Sequence, residues 1–90
     1  MLNPVFTGPF KKDYKLLKKR NKNLDILIEV MNILVNEQPL LQKYENYPLQ
    51  GNFKGKLECH IEPDWLLVYR VEKTSNQVIF YRTGSHSDIF

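Results

Sequence analysis

The sequence predicts a single α+β domain over residues 1–90, with an N-terminal helical hairpin packed on one face of a small antiparallel sheet. Ninety residues are enough for one domain. Apolar residues recur every three to four positions up to Pro39 and every second position from Gly55. A helical half followed by a strand half is typical of the α+β class. One sheet face is then left for solvent or for a ligand.

The first half holds the predicted hairpin. Residues 1–6 are expected to form a short strand. Their proline has no N–H to donate to a neighbouring strand, so this strand should lie at the edge of the sheet. Thr7 is the expected N-cap of the first helix, and residues 21–23 connect it to the second. Asn23 caps the second helix and Pro39 ends it. The apolar positions predict that the second helix is buried on more than one side. They are Phe10, Tyr14 and Leu17 in the first helix, and Leu24, Leu27, Ile28, Met31, Leu34 and Val35 in the second, widened by Ile26, Val30 and Ile33.

The second half holds the predicted strands. Residues 40–54 are aromatic but without either period, so we expect them to be irregular. Three strands follow: the first begins at Gly55, the second spans 65–71 and the third spans 78–83. A short tail at 85–90 comes after them. The alternation in the first of them separates two faces. Leu57, Cys59 and Ile61 point towards the core, and Glu58, His60 and Glu62 point the other way.

The charge and cysteine content narrow the function classes. The formal net charge is +3, and seven of the basic residues lie at positions 11–22. Such a run is either a solvated helix face or a contact to a polyanion. Cys59 is the only cysteine, which suits a reducing cytoplasm, and we find no signal peptide and no membrane span. No zinc spacing and no phosphate-binding glycine loop is present, so no metal or cofactor is expected.

Three side chains can supply acid/base chemistry on the open face. His60, Asp64 and His86 would converge if the start of one strand and the end of another lie side by side. Histidine accepts and donates protons near neutral pH, as cleavage of RNA through its 2′-OH requires. Each residue also has an ordinary interpretation, since a strand histidine is often structural and Asp64 follows Pro63 in a turn. Cys59 and His60 face opposite ways, which disfavours a shared metal ion.

Four further residues can contact RNA. Arg82 or Lys54 can offset the charge that builds on a phosphate during cleavage. Trp65 or Phe90 can stack on a base, with a contribution of ~1–3 kcal/mol per base. For Trp65, which opens an apolar strand, packing in the core is the other interpretation.

Three linked motifs resemble one known family. They are Tyr47-Pro48-Leu49-Gln50-Gly51, the stretch from Glu58 to Tyr69 that contains His60-Ile61-Glu62-Pro63-Asp64-Trp65, and the tail Arg82-Thr83-Gly84-Ser85-His86-Ser87-Asp88-Ile89-Phe90. In this order and spacing they resemble the YafQ branch of the RelE-like toxins of bacterial type II toxin–antitoxin systems. The helical hairpin also fits, so the resemblance covers nearly the whole chain.

The resemblance implies a RelE-like fold and an endoribonuclease that enters the ribosomal A site and cuts bound mRNA without a metal. By position, it assigns acid/base roles to His60, Asp64 and His86, and it places Trp65 and Phe90 where they hold mRNA or shape the site. It also implies a neutralising antitoxin of the ribbon-helix-helix type, operator DNA contact only through that antitoxin, and contacts from the basic first helix to ribosomal RNA.

One departure from the family pattern leaves alternatives open. Many relatives carry histidine where this chain has Tyr47, and a tyrosine, with an ordinary pKa of ~10, is a poor base at neutral pH. Tyr47 then either orients the phosphate, or cleavage is weaker or has a different specificity. A module that only binds antitoxin and co-represses is the second hypothesis, and a ribosome-independent RNA-binding or RNA-cutting protein is the third. The sequence does not indicate codon preference, or which histidine is the base.

Overall fold

The computed structural model of the chain describes residues 1–90, apart from the side chain of Asn52. It confirms the predicted α+β class and contains five strands, three α-helices and two short 3₁₀ turns. In chain order these are β1 (Asn3–Phe6), α1 (Gly8–Lys19), α2 (Leu24–Val35), a 3₁₀ turn (Gln42–Tyr44), β2 (Tyr47–Pro48), a second 3₁₀ turn (Gly51–Phe53), β3 (Leu57–Glu62), β4 (Trp65–Glu72), β5 (Gln77–Gly84) and α3 (His86–Ile89). None of the described helices has the length and apolar content needed to cross a membrane.

The sheet has the order β1-β5-β4-β3-β2. The meander β3–β4–β5 is antiparallel as predicted, but β1 pairs parallel to β5, with Val5 opposite Ile79. The prediction of a wholly antiparallel sheet is therefore wrong at this edge. A parallel pair requires a long connection, and here the chain between the two strands contains the helical hairpin and β2–β4. Strand β2 was not predicted, because only Tyr47 and Pro48 pair with β3 and two residues show no period.

The predicted helix caps are confirmed. The Thr7 hydroxyl accepts a hydrogen bond from the Phe10 amide at 3.1 Å and donates one to the Tyr81 carbonyl at 2.8 Å. The Asn23 side chain accepts from the Asp25 amide at 3.2 Å. The Thr7 cap therefore also ties the start of α1 to β5, so the helix is fixed against the sheet from its first turn.

The main core lies between the helical hairpin and the sheet. Fifteen buried residues form it: Leu2, Phe10, Leu17, Leu27, Val30, Met31, Leu34, Tyr44, Cys59, Ile61, Trp65, Leu67, Tyr69, Val78 and Phe80. The helix periodicity predicted every α1 and α2 position in this set. It also predicted burial of Ile28, which is wrong, since this residue is 40% exposed on the outer side of α2.

The opposite sheet face, here called the open face, carries a much smaller cluster. Leu66 and Val68 of β4 are buried there under Ile89 of α3. The alternation predicted for β3 is confirmed, because Cys59 and Ile61 belong to the main core and His60 lies on the other side. The tail was predicted only as a short segment, and its helix α3 is what covers this face.

Candidate functional site

His60 is held on the open face by a carboxylate from the preceding loop. Its Nδ1 lies 2.8 Å from Oε2 of Glu45. Glu45 follows the first 3₁₀ turn with φ of 44°, and the buried ring of Tyr44 anchors that turn in the core. The His60 side chain is 16% exposed, and its Nε2 is buried without a hydrogen-bond partner within the described part of the chain. Nε2 is thus the one nitrogen of this ring that is not committed.

His86 is held by Asp64, the second residue of the β3–β4 turn. Oδ1 of Asp64 lies 3.0 Å from Nδ1 of His86 and accepts from its backbone amide at 3.2 Å. These bonds to His86 lower the pKa of Asp64 and keep its carboxylate charged. His86 is the first residue of α3, so the capping of that helix fixes where its ring lies.

Capping and an ion pair fix the position of α3. The Ser85 hydroxyl accepts from the Asp88 amide at 3.2 Å, and Oδ2 of Asp88 accepts from the Ser85 amide at 3.0 Å. Nη1 of Arg20, at the end of α1, lies 2.8 Å from the same oxygen. The hydrogen bond from Arg20 lowers the pKa of Asp88 to about 2. A Cβ at Gly84 would lie 3.0 Å from this oxygen, which explains the glycine at the strand end.

Five of the predicted site residues converge on the open face. The ring centroids of His60 and His86 are 6.1 Å apart. The Tyr47 ring lies edge-on to His60 at 6.1 Å, and Phe90 lies 6.3 Å from His86. Asp64 completes the group through its bonds to His86. Two imidazoles, each bonded to a carboxylate through Nδ1, therefore face one another with both Nε2 atoms left for acid/base work.

Arg82 does not join this group directly. Its Nε donates to Asp13 Oδ2 at 2.6 Å, and its Nη2 donates to Asp13 Oδ1 and to the Asp88 carbonyl, both at 3.1 Å. The bond to Asp13 raises the pKa of Arg82 above its ordinary value. The same Asp13 carboxylate accepts from the Thr83 amide at 3.1 Å. Arg82 therefore links α1 to α3 behind the site.

Trp65 is also outside the group, and the prediction that it can stack on an RNA base is wrong. The side chain is 1% exposed and belongs to the main core. Its indole N–H donates to the Thr83 hydroxyl at 2.9 Å, and this hydroxyl donates to the Leu66 carbonyl at 2.9 Å. A buried indole whose polar atom is bonded inside the protein has no free face for a base. The core interpretation of Trp65 is confirmed.

Three residues near the site were not predicted. Glu45 lies in a segment without periodicity, so nothing in the sequence connected it with His60. The Phe53 ring packs against Phe90 with centroids 5.1 Å apart. Nζ of Lys56 lies over Tyr81, 4.5 Å from the ring centroid, and also over Phe53. Lys54, the predicted cation on the same loop, is exposed.

Cys59 and His60, two of the candidate metal ligands, lie on opposite faces of the sheet. The structure, leaving aside the Asn52 side chain, contains no group of three or more His, Cys, Asp or Glu side chains suited to hold an ion. Cys59 is fully buried on the opposite sheet face from His60, and burial raises the pKa of its thiol to about 12. Its interpretation as a buried apolar residue is confirmed.

Known proteins of one family share this fold and sequence. Residues 2–90 match the family model described as bacterial toxin of type II toxin-antitoxin system, YafQ. The mRNA interferase toxin YafQ of Escherichia coli K12 is 41% identical over 86 residues, which is 94% of this chain and 91% of that protein. A metal-bound toxin from Helicobacter pylori is 43% identical, with a TM-score of 0.94 and full coverage of both chains. YafQ in the E. coli DinJ–YafQ complex is 37% identical, with a TM-score of 0.90 over all of this chain and 99% of that one. The chain therefore belongs to the YafQ family of toxins of bacterial type II toxin–antitoxin systems.

Proposed function

We propose that the chain is a ribosome-dependent endoribonuclease that cuts mRNA in the A site and so inhibits translation. The observation that carries this proposal is the pair of carboxylate-bound imidazoles, His60 and His86, with ring centroids 6.1 Å apart. Proton transfer by two positioned groups is what cleavage of RNA through its own 2′-OH needs. The name of the E. coli relative, an mRNA interferase, supports the same chemistry.

In the proposed reaction, one imidazole takes the proton of a ribose 2′-OH through its Nε2. The 2′-oxygen forms a bond to the adjacent phosphorus, and the bond from phosphorus to the 5′-oxygen breaks. The second imidazole, in its protonated form, gives its proton to that 5′-oxygen. The products are a 2′,3′-cyclic phosphate and a 5′-OH. Asp64 holds one imidazole through Nδ1, and its carboxylate stabilises the charge when that ring is protonated.

Cations and rings around the pair would hold the RNA. Phe90 is 57% exposed and is the proposed stacking platform, with Phe53 behind it. Lys54 is a proposed phosphate contact from the exposed loop. For Arg82, Nε and Nη2 are bonded to Asp13 and the Asp88 carbonyl, so any phosphate contact would have to come from Nη1. The lysines of α1 would contact ribosomal RNA through its backbone.

The proposal also includes the partners and the compartment of this toxin. Family membership and the DinJ–YafQ complex of E. coli support a cognate antitoxin. We propose that it is of the ribbon-helix-helix type and that operator DNA is bound only through it. The ribosome and mRNA place the proposed activity in the cytoplasm.

The test is primer extension on mRNA loaded into 70S ribosomes, with purified wild type and His86→Ala. We expect wild type to cut only ribosome-bound message, and His86→Ala to lose ~100-fold or more, the scale of one proton-transfer group. Lys73→Ala, a change on the exposed β4–β5 turn, is the matched control and should cut like wild type. Thermal unfolding confirms that each variant is folded. A folded His86→Ala protein that cuts normally would contradict the proposal.

Metal independence is a separate part of the proposal. Two H. pylori toxins of this fold are described as metal-bound and copper-bound, so the point needs a direct test. The toxin alone is stripped with chelator and desalted before it meets magnesium-containing ribosomes. We expect unchanged cleavage, because His60 and His86 can transfer both protons themselves. Activity that disappears on stripping and returns with copper, nickel or zinc would contradict this part.

Tyr47 favours one second candidate, a catalytically weak relative that binds antitoxin and co-represses. Its side chain is 48% exposed and lies beside His60, where it can donate a hydrogen bond to a phosphate. Tyr47→Phe removes that donor and Tyr47→His introduces a proton-transfer group. Cleavage by wild type that falls in Tyr47→Phe supports the enzyme. No cleavage by wild type, with gain of cleavage in Tyr47→His and intact antitoxin binding, supports the second candidate.

A further inference from the structure

Glu45 contacts His60, and the proposed reaction gives this carboxylate no role. Its Oε2 lies 2.8 Å from Nδ1 of His60, and its side chain is 53% exposed. The residue adopts φ of 44° and ψ of 78°, a left-handed conformation that is uncommon for a side chain other than glycine or asparagine. An ion pair with an exposed partner contributes little to stability. The contact is therefore better explained by how it holds His60 than by the stability of the fold.

The contact fixes which nitrogen of His60 carries the proton. A carboxylate accepts hydrogen bonds, so Nδ1 has to be the donor at 2.8 Å. The other neutral tautomer would place the Nδ1 lone pair against the Glu45 oxygen. It would also bury an N–H at Nε2 without an acceptor. With Glu45 in place, the neutral His60 ring therefore presents a lone pair at Nε2, the form that takes up a proton.

The two histidine–carboxylate pairs differ in exposure. The His86 side chain is 57% exposed and that of His60 is 16% exposed. Asp64 also accepts from the backbone amide of His86, so this carboxylate is held whichever tautomer the ring adopts. Nε2 of His60 is buried and without a partner in the described chain. A buried polar atom of this kind requires an explanation, and an incoming ribose hydroxyl would supply the missing bond.

We propose that Glu45 is a positioning residue that holds His60 as the general base of the cleavage reaction, with His86 as the acid. This inference rests on the proposed function, and it adds which histidine removes the 2′-OH proton and which one protonates the 5′-oxygen. Nε2 of His60 takes the proton of the 2′-OH as the 2′-oxygen attacks phosphorus. The Glu45 carboxylate stabilises the imidazolium that forms. The protonated His86 ring gives its proton to the departing 5′-oxygen.

The first measurement compares Glu45→Ala, Glu45→Gln and Glu37→Ala in steady-state cleavage of mRNA on programmed ribosomes. Glu37 is the matched control, because it is also an exposed glutamate at positive φ, 55°, with only a surface contact to Lys73 at 3.9 Å. We expect kcat to fall ~10–100-fold in Glu45→Ala, the scale seen for outer partners of functional histidines in metal sites. KM for the ribosome and the unfolding midpoint should stay unchanged. In Glu45→Gln the amide oxygen can still accept from Nδ1, so a smaller loss is expected.

The second measurement is the tautomer of His60, from long-range ¹H–¹⁵N NMR correlations of the two imidazole rings. We expect the Nδ1–H form in wild type and in Glu45→Gln, and a shift towards the Nε2–H form in Glu45→Ala. His86 should not change in any of the three. A wild-type His60 in the Nε2–H form, or an unchanged kcat in Glu45→Ala, would overturn the inference.

The two measurements also separate the inference from the function on which it rests. If wild type does not cleave at all, the proposed function fails, and the assignment of His60 as base fails with it. The tautomer then still decides whether Glu45 positions the ring. If wild type cleaves and His86→Ala does not, while Glu45→Ala cleaves normally, only the role of Glu45 is overturned.

Discussion

Leu66 and Leu67 are neighbours on β4, both fully buried, and they lie on opposite faces of the sheet. Leu67 belongs to the fifteen-residue core under the helical hairpin. Leu66 belongs to the cluster of three buried residues on the open face, where Ile89 of α3 packs on it. The difference indicates a division of labour. The face under the helical hairpin, here called the covered face, contributes most of the stability. The open face has fewer packed residues and leaves His60 and His86 accessible.

The largest effects are expected when the two leucines are truncated separately. Leu67→Ala should cost ~3–5 kcal/mol, because a cavity in the middle of a large core does not collapse. Leu66→Ala should cost ~2–3 kcal/mol, because the thin layer over it can move inwards. Chemical denaturation with the same analysis for both variants measures the difference.

Activity should respond in the opposite order. Leu66→Ala removes the support of α3, the helix that begins with His86, so cleavage should fall even where the protein is fully folded. Leu67→Ala should cut like wild type at temperatures well below its unfolding midpoint. Equal losses of stability in the two variants would contradict the claim that the covered face contributes more to stability. A folded Leu66→Ala protein with normal activity would contradict the claim that the open face supports activity.

Asp13 links the two faces through Arg82, so Asp13→Asn tests whether the faces act independently. The carboxylate, on the covered-face helix α1, binds Arg82 through two oxygens and also accepts from the Thr83 amide. Arg82 in turn donates to the Asp88 carbonyl of α3. Breaking a part-buried pair of this kind should cost ~1–3 kcal/mol. Activity should also fall, because α3 loses one of its anchors.

The matched control for Asp13 is Asp25→Asn in the first turn of α2, where the acid is exposed. Its cost in the free energy of unfolding should be roughly 0.3–1 kcal/mol at low salt. The measurements are thermal unfolding of both variants and their cleavage of ribosome-bound mRNA. If Asp13→Asn loses stability but keeps full activity, the link between α1 and α3 does not support the site.

The ion pair between Arg20 and Asp88 should make the anchoring of α3 dependent on pH. The pKa of Asp88 is lowered to about 2 in the folded protein, below that of an unfolded aspartate. The stabilisation is therefore present above pH ~4 and is lost as the pH falls through ~2. Arg20 is 45% exposed, so solvent screening keeps this contribution to stability small.

Unfolding of wild type and Arg20→Gln across this range measures the contribution. We expect the two curves to converge at low pH and to separate as the pH rises above ~4, with wild type the more stable. Lys22→Gln is the control, because its contact to Glu62 is 3.6 Å long and exposed at both ends. A constant difference between wild type and Arg20→Gln at every pH would show that Asp88 is not the group that titrates.

The covered face could be predicted from the sequence because burial imposes a period. Leu27, Val30 and Leu34 recur at helical spacing, and Cys59 and Ile61 alternate along β3. The pairing of β1 could not be predicted, since its four residues show no alternation and its partner lies at the other end of the chain. Helix α3 was missed for a related reason. It is four residues long and is held by Ser85, Asp88 and Arg20 rather than by an apolar stripe.

The open face was predicted through residue types and motifs, with uneven results. His60, Asp64 and His86 converge as the meander and the resemblance predicted. Trp65 was misjudged because a motif position does not reveal which side of the sheet a ring occupies. Glu45 was missed because its segment has no period, and only the three-dimensional path of the loop brings it to His60.

The smallest expected effect is a change in how fast the thiol of Cys59 reacts with a labelling reagent. Cys59 is the neighbour of His60 on the other face of β3. The thiol is fully buried, and burial raises its pKa to about 12, so a thiolate is nearly absent in the folded state at neutral pH. Labelling by a thiol reagent should then require opening of the covered face, and its rate should follow the population of opened molecules. Wild type should label slowly in buffer and rapidly in concentrated urea, and Leu66→Ala should label faster than wild type in buffer because its opened population is larger. Leu67→Ala should label faster still in buffer, because it is the less stable variant and its cavity lies in the same core as the sulfur. Faster labelling of Leu66→Ala than of Leu67→Ala would mean that the open face, rather than the covered one, controls how this domain opens.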